Sequence, residues 1–160
     1  MYATPIQEFR LSRREVLKAG GAAVVTALLL GLPLPVQASP KDVRKRLDEL
    51  TNGATLEEGR VAIELPALTQ DGKRTRIRVT VDSPMTEEDH VKAVHILAER
   101  NTVPNVGSYF FSPMSGKVDI TTRMRVAQSQ TIVVAAEMSD GSFYYTKARC
   151  KVARGAGGCG

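Results

Sequence analysis

From Arg60 onward the apolar residues of this chain recur with a period of two. Val61, Ile63 and Leu65 alternate, then Ile77, Val79 and Val81 between Arg76, Arg78 and Thr80, then Val94, Ile96 and Ala98. Val106, Ser108 and Phe110 follow, and Val118, Ile120, Thr122, Met124 and Val126 keep one face for nine residues. Thr131 to Ala136 is a buried-looking apolar run, and Tyr144 to Val152 is the last strand. Successive side chains of a strand point to opposite faces, so each run is a strand with one face to be buried. The runs are separated by strong breakers: Pro66, the hairpin-turn signal Asp71-Gly72, Ser83-Pro84, the turn at 86–89, the loop around Pro104, Pro113 to Gly116, and the hairpin turn Ser139-Asp140-Gly141-Ser142. Seven short strands at this spacing predict an all-β, immunoglobulin-like antiparallel β-sandwich over residues 54–152, with a small barrel as the alternative. The stretch from His90 to Arg100 also fits helical spacing through Val91, Val94 and Ala98. Its neighbours on both sides are strands, so strand is the preferred reading.

The stretch before the sandwich has a different period. Ser39-Pro40 with Asp42 is a cap, a proline at the first helical position and an acid in the first turn. Val43, Leu47 and Leu50 lie at helical spacing, and Gly53 can close the helix. The spacing predicts a short amphipathic helix over 40–51, within a segment 39–53, with one apolar stripe to dock on its own domain or on a partner.

Residues 1–38 read as an export leader. Ser12-Arg13-Arg14-Glu15-Val16-Leu17-Lys18 precedes an apolar Gly/Ala-rich stretch from Ala19 to Leu32, then Pro33, Pro35 and Val36-Gln37-Ala38. A charged region, a short apolar region and small residues before a cleavage point define a signal peptide, and the paired arginines specify the twin-arginine route. The apolar run is too short to span a bilayer comfortably. Cleavage is expected after Ala38. The mature chain, Ser39 to Gly160, is then expected in the periplasm after export in the folded state, with no membrane attachment.

Charge excludes one class of partner. Without the leader the chain carries 18 Lys and Arg against 15 Asp and Glu, interspersed rather than clustered, and it has no Trp. That is a solvated surface rather than a nucleic-acid footprint. His90 and His95, five apart on a strand, point to opposite faces and make a poor metal pair. No glycine-rich phosphate loop, nucleophile elbow or paired carboxylates occur, so no self-sufficient catalytic site, metal or cofactor is expected.

The two cysteines have different settings. Cys150 lies in phase with Thr146, Ala148 and Val152, which suits a small buried hydrophobe, with a disulfide as the alternative. Cys159 has no apolar phase to belong to. It sits in Ala153-Arg154-Gly155-Ala156-Gly157-Gly158-Cys159-Gly160, where no residue is large and apolar. Such a segment is expected to be a flexible, thin arm over 153–160. From Arg154 the thiol reaches roughly 17 Å when extended. It can enter a narrow channel on another protein, or it can be the accident of an unstructured terminus.

Several stretches carry a family resemblance. They are Val81-Asp82-Ser83-Pro84-Met85-Thr86, Asp89-His90-Val91-Lys92, His95-Ile96, Ser115-Gly116-Lys117, Ser129-Gln130, Ala136-Glu137-Met138-Ser139-Asp140-Gly141-Ser142 and, most specifically, Gly157-Gly158-Cys159-Gly160. In these the chain resembles the SoxY family, the sulfur-carrier subunits of the periplasmic thiosulfate-oxidising system. The family tail usually carries one more glycine than this one, and Cys150 is not part of the pattern.

The resemblance implies a carrier rather than an enzyme. Cys159 would hold thiosulfate as a covalent adduct, on an arm formed by Gly155, Ala156, Gly157, Gly158 and Gly160. It implies a SoxZ-like subunit as heterodimer partner. It also implies visits to a haem-containing loading enzyme, a sulfate-releasing hydrolase and a sulfane-oxidising enzyme. Cys159 has no cation beside it in sequence, so its reactivity would come from those enzymes. The alternative is a structural periplasmic sandwich tied to a partner by a disulfide through Cys159. On either reading a partner is expected to cover the apolar face of Val118 to Val126, on a sandwich that has open edges.

Overall fold

The computed structural model describes residues 38–153. They begin with helix α1 (Pro40–Thr51), entered through a reciprocal cap. The Asp42 amide donates to Ser39 Oγ, and Asp42 Oδ2 accepts the Ser39 amide at 2.7 Å. The Ser39 hydroxyl, which donates to the same oxygen at 2.8 Å, and then the Ser39 amide hold the Asp42 carboxyl below its ordinary range. Asn52 ends the helix in the left-handed region, at φ 50°, and the Gly53 amide closes onto Asp48 O.

Nine strands follow: β1 (Leu56–Glu58), β2 (Val61–Glu64), β3 (Leu68–Thr69), β4 (Thr75–Val81), β5 (Val91–Ala98), β6 (Asn105–Phe110), β7 (Val118–Met124), β8 (Gln130–Met138) and β9 (Phe143–Val152). The larger sheet runs β1-β9-β8-β5-β6, with β3 also paired to β9, and the smaller runs β2-β4-β7. The two pack face to face as an immunoglobulin-like sandwich. Val79 and Ile77 of β4 and Val118 of β7 meet Val94 and Ile96 of β5 and Ile132 and Val134 of β8 in one buried cluster. All seven predicted strands are present. The two additional ones, β1 and β3, are short and pair parallel to β9, in an otherwise antiparallel fold.

The segment with helical spacing is strand β5. Its spacing looks helical because a bulge between Val91 and Ala93 shifts the register, so that Val91, Val94 and Ala98 all face the same core. Val94, Ile96 and Ala98 face the sandwich, while Leu97 joins Val133 and Ala135 under α1. The helix docks on its own domain through Val43 and Leu47, and Thr51 rather than Leu50 completes the buried stripe. Each of the two apolar side chains contributes about 1.5–3 kcal/mol by leaving water.

Two expectations are corrected. The apolar face of Val118 to Val126 does not await a partner. Val118 is 1% exposed, Met124 3% and Val126 1%, all packed in the protein's own core, although β7 is a sheet edge. Alternation had shown that this face is buried without showing against what. Asp71-Gly72 is not a tight hairpin turn either. Strands β2 and β4 do pair antiparallel, but between them the chain crosses to the other sheet, lays β3 beside β9 and turns back there. Among the described residues no helix is long and apolar enough to cross a membrane.

Candidate functional site: the root of a cysteine arm

Cys159 and the arm residues Gly155, Ala156, Gly157, Gly158 and Gly160 lie outside the described residues, as does the leader up to residue 37. The structure does describe the strand that precedes them, the root of the expected arm. β9 is held along its length by β8, from Glu137↔Phe143 to Gln130↔Cys150. Beyond that ladder three further bonds hold its end. The Val152 amide donates to Ser129 Oγ at 3.0 Å, the Lys151 amide to Ala67 O at 2.9 Å, and the Ala153 amide to Thr69 O at 3.0 Å. The crossing loop therefore templates the last residues before the arm.

Gly72 closes that loop against the same strand. A Cβ there would lie 2.6 Å from Val126 O and 3.3 Å from Val152 Cγ1. This glycine serves close approach, not a left-handed backbone: its φ is not among the positive ones. The Val126 amide in turn donates to Gly72 O at 2.7 Å. One end of the sandwich thus joins the arm root, the crossing loop and the exit of β7.

Beside them Gln130, 2% exposed, accepts the Arg100 amide at 2.6 Å and donates to Asn101 Oδ1 at 2.9 Å. Ser129 and Gln130 were singled out by the resemblance and gain a structural reason here. Thr69 gave no local signal, because its role depends on a pairing between distant segments.

Cys150 is the buried small residue that its phase predicted. It is fully enclosed in the core, its Sγ lies 3.7 Å from Lys151 O, and burial pushes its thiol up from the ordinary value. A bond to it from any other thiol requires opening the sandwich.

The other stretches that carried the resemblance gather at the opposite end, where β4 ends and β5 and β9 begin. Ser139 Oγ donates to Glu88 O and accepts the His90 amide. Ser83 Oγ donates to Asp89 O and accepts the amide of Met85, a residue at φ 55°. Arg60 donates through Nε to Asp82 O and through its outer nitrogen to both oxygens of Asp89. Asp140 Oδ1 takes the amide and hydroxyl of Ser142, which lowers its pKa.

His95 points outward from β5 with its Nδ1 2.8 Å from Ser108 Oγ, and it is 5% exposed. His90, at the head of the strand, bonds Thr86 O. Among the described residues no group of three or more His, Cys, Asp or Glu comes together as metal ligands would.

These features define a class: an immunoglobulin-like sandwich whose last strand is braced by a crossing loop and continues into a glycine-rich, cysteine-bearing segment. Residues 47–159 match the family described as sulfur oxidation protein SoxY, and the chain belongs to that family. Among solved structures it is similar to the sulfur carrier protein SoxY from Chlorobium limicola f thiosulfatophilum. The identity is 21% and the TM-score 0.61, over 72% of this chain and 99% of that one. It is also similar in fold to a putative superoxide reductase from Thermotoga maritima, at 21% identity and a TM-score of 0.54, over 66% of this chain and 98% of that one. No curated protein matches the sequence.

Proposed function

We propose that this chain is a periplasmic sulfur carrier that holds thiosulfate-derived intermediates covalently on Cys159 and presents them to the enzymes of sulfur oxidation. The observation that carries the reading is the family match, which runs to residue 159 and so takes in the arm cysteine. The braced end of β9 and the burial of Cys150 support it. The first is a firm base for an arm, and the second leaves Cys159 without a competing thiol at the surface among the described residues.

The carrier's cycle balances as follows. The Cys159 thiol and thiosulfate join through a new sulfur–sulfur bond as Cys-S-S-SO3−. One proton is released and two electrons pass to the haem-containing loading enzyme. On the sulfate-releasing hydrolase, water then attacks the terminal SO3 sulfur and the bond between it and the sulfane sulfur breaks, so that sulfate and a proton are released and a cysteine persulfide remains for the sulfane-oxidising enzyme. The chain supplies the thiol and the reach; its partners supply oxidation and hydrolysis. A SoxZ-like subunit is the proposed heterodimer partner. The edge of the larger sheet is an available surface for it, since Phe110 on β6 is 78% exposed and Met114 just beyond is 96% exposed.

The test is the intact mass of the full chain, purified without reductant from cells oxidising thiosulfate, beside Cys159→Ser. A mass gain of one thiosulfate or of sulfane sulfur, absent from Cys159→Ser, is expected. A disulfide to another chain through Cys159 in its place would refute the carrier reading and establish the structural one. The double variant Gly157→Val/Gly158→Val tests the arm. β-branched residues stiffen and widen it, so loading by the oxidising enzyme is expected to fall while alkylation of Cys159 by a small reagent is unchanged.

A further inference from the structure

On the outer face of the smaller sheet Arg76 of the central strand β4 stands directly opposite Arg123 of β7. Like charges directly opposite on neighbouring strands destabilise a sheet. Arg74 and Arg125 continue the same two strands by one residue each, and all four arginines are exposed, Arg76 and Arg125 each between two buried neighbours. Among the described residues none of the four forms an ion pair. The carboxylates on that face are already engaged, because Arg78 binds Asp119 at 2.9 and 2.6 Å and Glu64 at 3.4 Å. Charge on an edge strand blocks unwanted pairing. That accounts for Arg123 and Arg125 on β7 but not for Arg76 facing them from the middle of the sheet.

The cluster also has a position. Arg125 precedes Val126 and Arg74 lies two residues past Gly72, the pair whose backbones bond beside the arm root at Val152 and Ala153. A groove lined by Leu65, Pro66, Arg76, Arg78, Asp119 and Thr121 runs next to it.

We propose that this arginine cluster is a docking surface for an acidic patch on a protein that the arm visits, its carboxylates taken in bidentate fashion by the guanidinium forks. The surface and its charge are read from the structure; naming the occupant as a visited protein rests on the carrier reading. Docking beside the root would place the arm's reach where the partner needs it and speed encounter. A protein fits better than a nucleic acid. The patch is four residues across two strands, bounded by two carboxylates and an apolar rim, whereas nucleic acid requires a longer uninterrupted basic track.

The experiment measures binding of a fluorescent oligoglutamate peptide to the full chain, to Arg76→Gln/Arg123→Gln, and to Arg44→Gln/Lys45→Gln on the exposed side of α1 as an equal-charge control. The arginine variant is expected to bind about tenfold more weakly, as loss of two charge-assisted bidentate contacts requires, with the control unchanged. Its melting temperature should equal or exceed the parent's, since a like-charge pair has been removed. Cys159→Ser is expected to bind the peptide like the parent, so failure of the carrier chemistry leaves this result standing. Equal weakening in the control would reduce the effect to net charge and overturn the proposal. So would tighter binding of duplex DNA or of phosphatidylglycerol vesicles than of the peptide through the same arginines, or a marked fall in the melting temperature of the arginine variant.

Discussion

Replacing Gly72 with alanine tests whether the crossing loop holds the arm root. The new Cβ would sit 2.6 Å from Val126 O, a backbone atom, and 3.3 Å from Val152 Cγ1. The side chain of Val152 can yield by a few tenths of an ångström, but Val126 O cannot yield cheaply. The Val126 amide is bonded to Gly72 O itself, and the next amide, Ala127, donates to Asn101 Oδ1. Relief must come from lifting the loop, which stretches the Gly72–Val126 bond and draws Thr69 away from Ala153. Overpacking of this kind costs about 1–3 kcal/mol. The lower entropy of an unfolded alanine chain returns about 0.4–1 kcal/mol, so the net loss is about 1–2 kcal/mol. For a domain of about 115 residues that lowers the melting temperature by roughly 4–8 °C. Thermal unfolding followed by far-ultraviolet circular dichroism reads the first effect. Hydrogen exchange of the Lys151 and Ala153 amides, which the loop accepts through Ala67 O and Thr69 O, reads the second and should accelerate. A Gly72→Ala protein that melts at or above the parent's temperature, with those amides equally protected, would refute the close-approach argument.

Three further outcomes follow from the buried groups. Alkylation of the native chain should modify one thiol and of the unfolded chain two, because Cys150 is fully enclosed. Cys150→Ser should cost about 1–3 kcal/mol, since its hydroxyl would be buried without a good acceptor, and calorimetry measures that loss. Burial holds His95 below the ordinary histidine value of 6.5, against the opposing pull of Glu137. The neutral ring is therefore the form that the fold favours. Its stabilisation is complete above pH 6.5 and is lost as pH falls through the lower folded value. Urea midpoints between pH 7.5 and 5 should drop more steeply for the parent than for His95→Gln.

Much of the fold was legible in the sequence because its determinants are local. Helix α1 matches its expected span, since Ser39, Pro40 and Asp42 act within one turn. The seven alternating strands needed only the period of two and the breakers between them. What was not legible depends on pairing between distant segments. Leu56–Glu58 and Leu68–Thr69 are too short to show a period, and both become strands only because β9 lies alongside. The Arg76–Arg123 opposition exists only once the β4–β7 register is known. Cys159 stands out as a candidate for the opposite reason: no packing explanation is open to it. The residues that brace the arm's root had no such mark.

The separation of the two ends of the sandwich bears on what the recognisable residues do. β9 is ten residues long, about 33 Å at the usual rise per residue. Ser83, Asp89, His90, Ser139, Asp140 and Ser142 lie at or near its start, and the arm continues from its end. Each of those side chains is engaged with a neighbouring loop atom: Ser83 with Asp89 O, Ser139 with Glu88 O, His90 with Thr86 O, Asp89 with Arg60, and Asp140 with Ser142. Their polar groups are used in fixing how β8 turns into β9, and so the register in which β9 leaves the domain. A one-residue slip in that register would turn Cys150 out of the core and move the arm root past Ser129 and Thr69. The residues most recognisable in sequence thus act on the end of β9 from a distance, through the strand. The bonds at the end of β9 come from a two-residue strand, the residue before it and one serine hydroxyl.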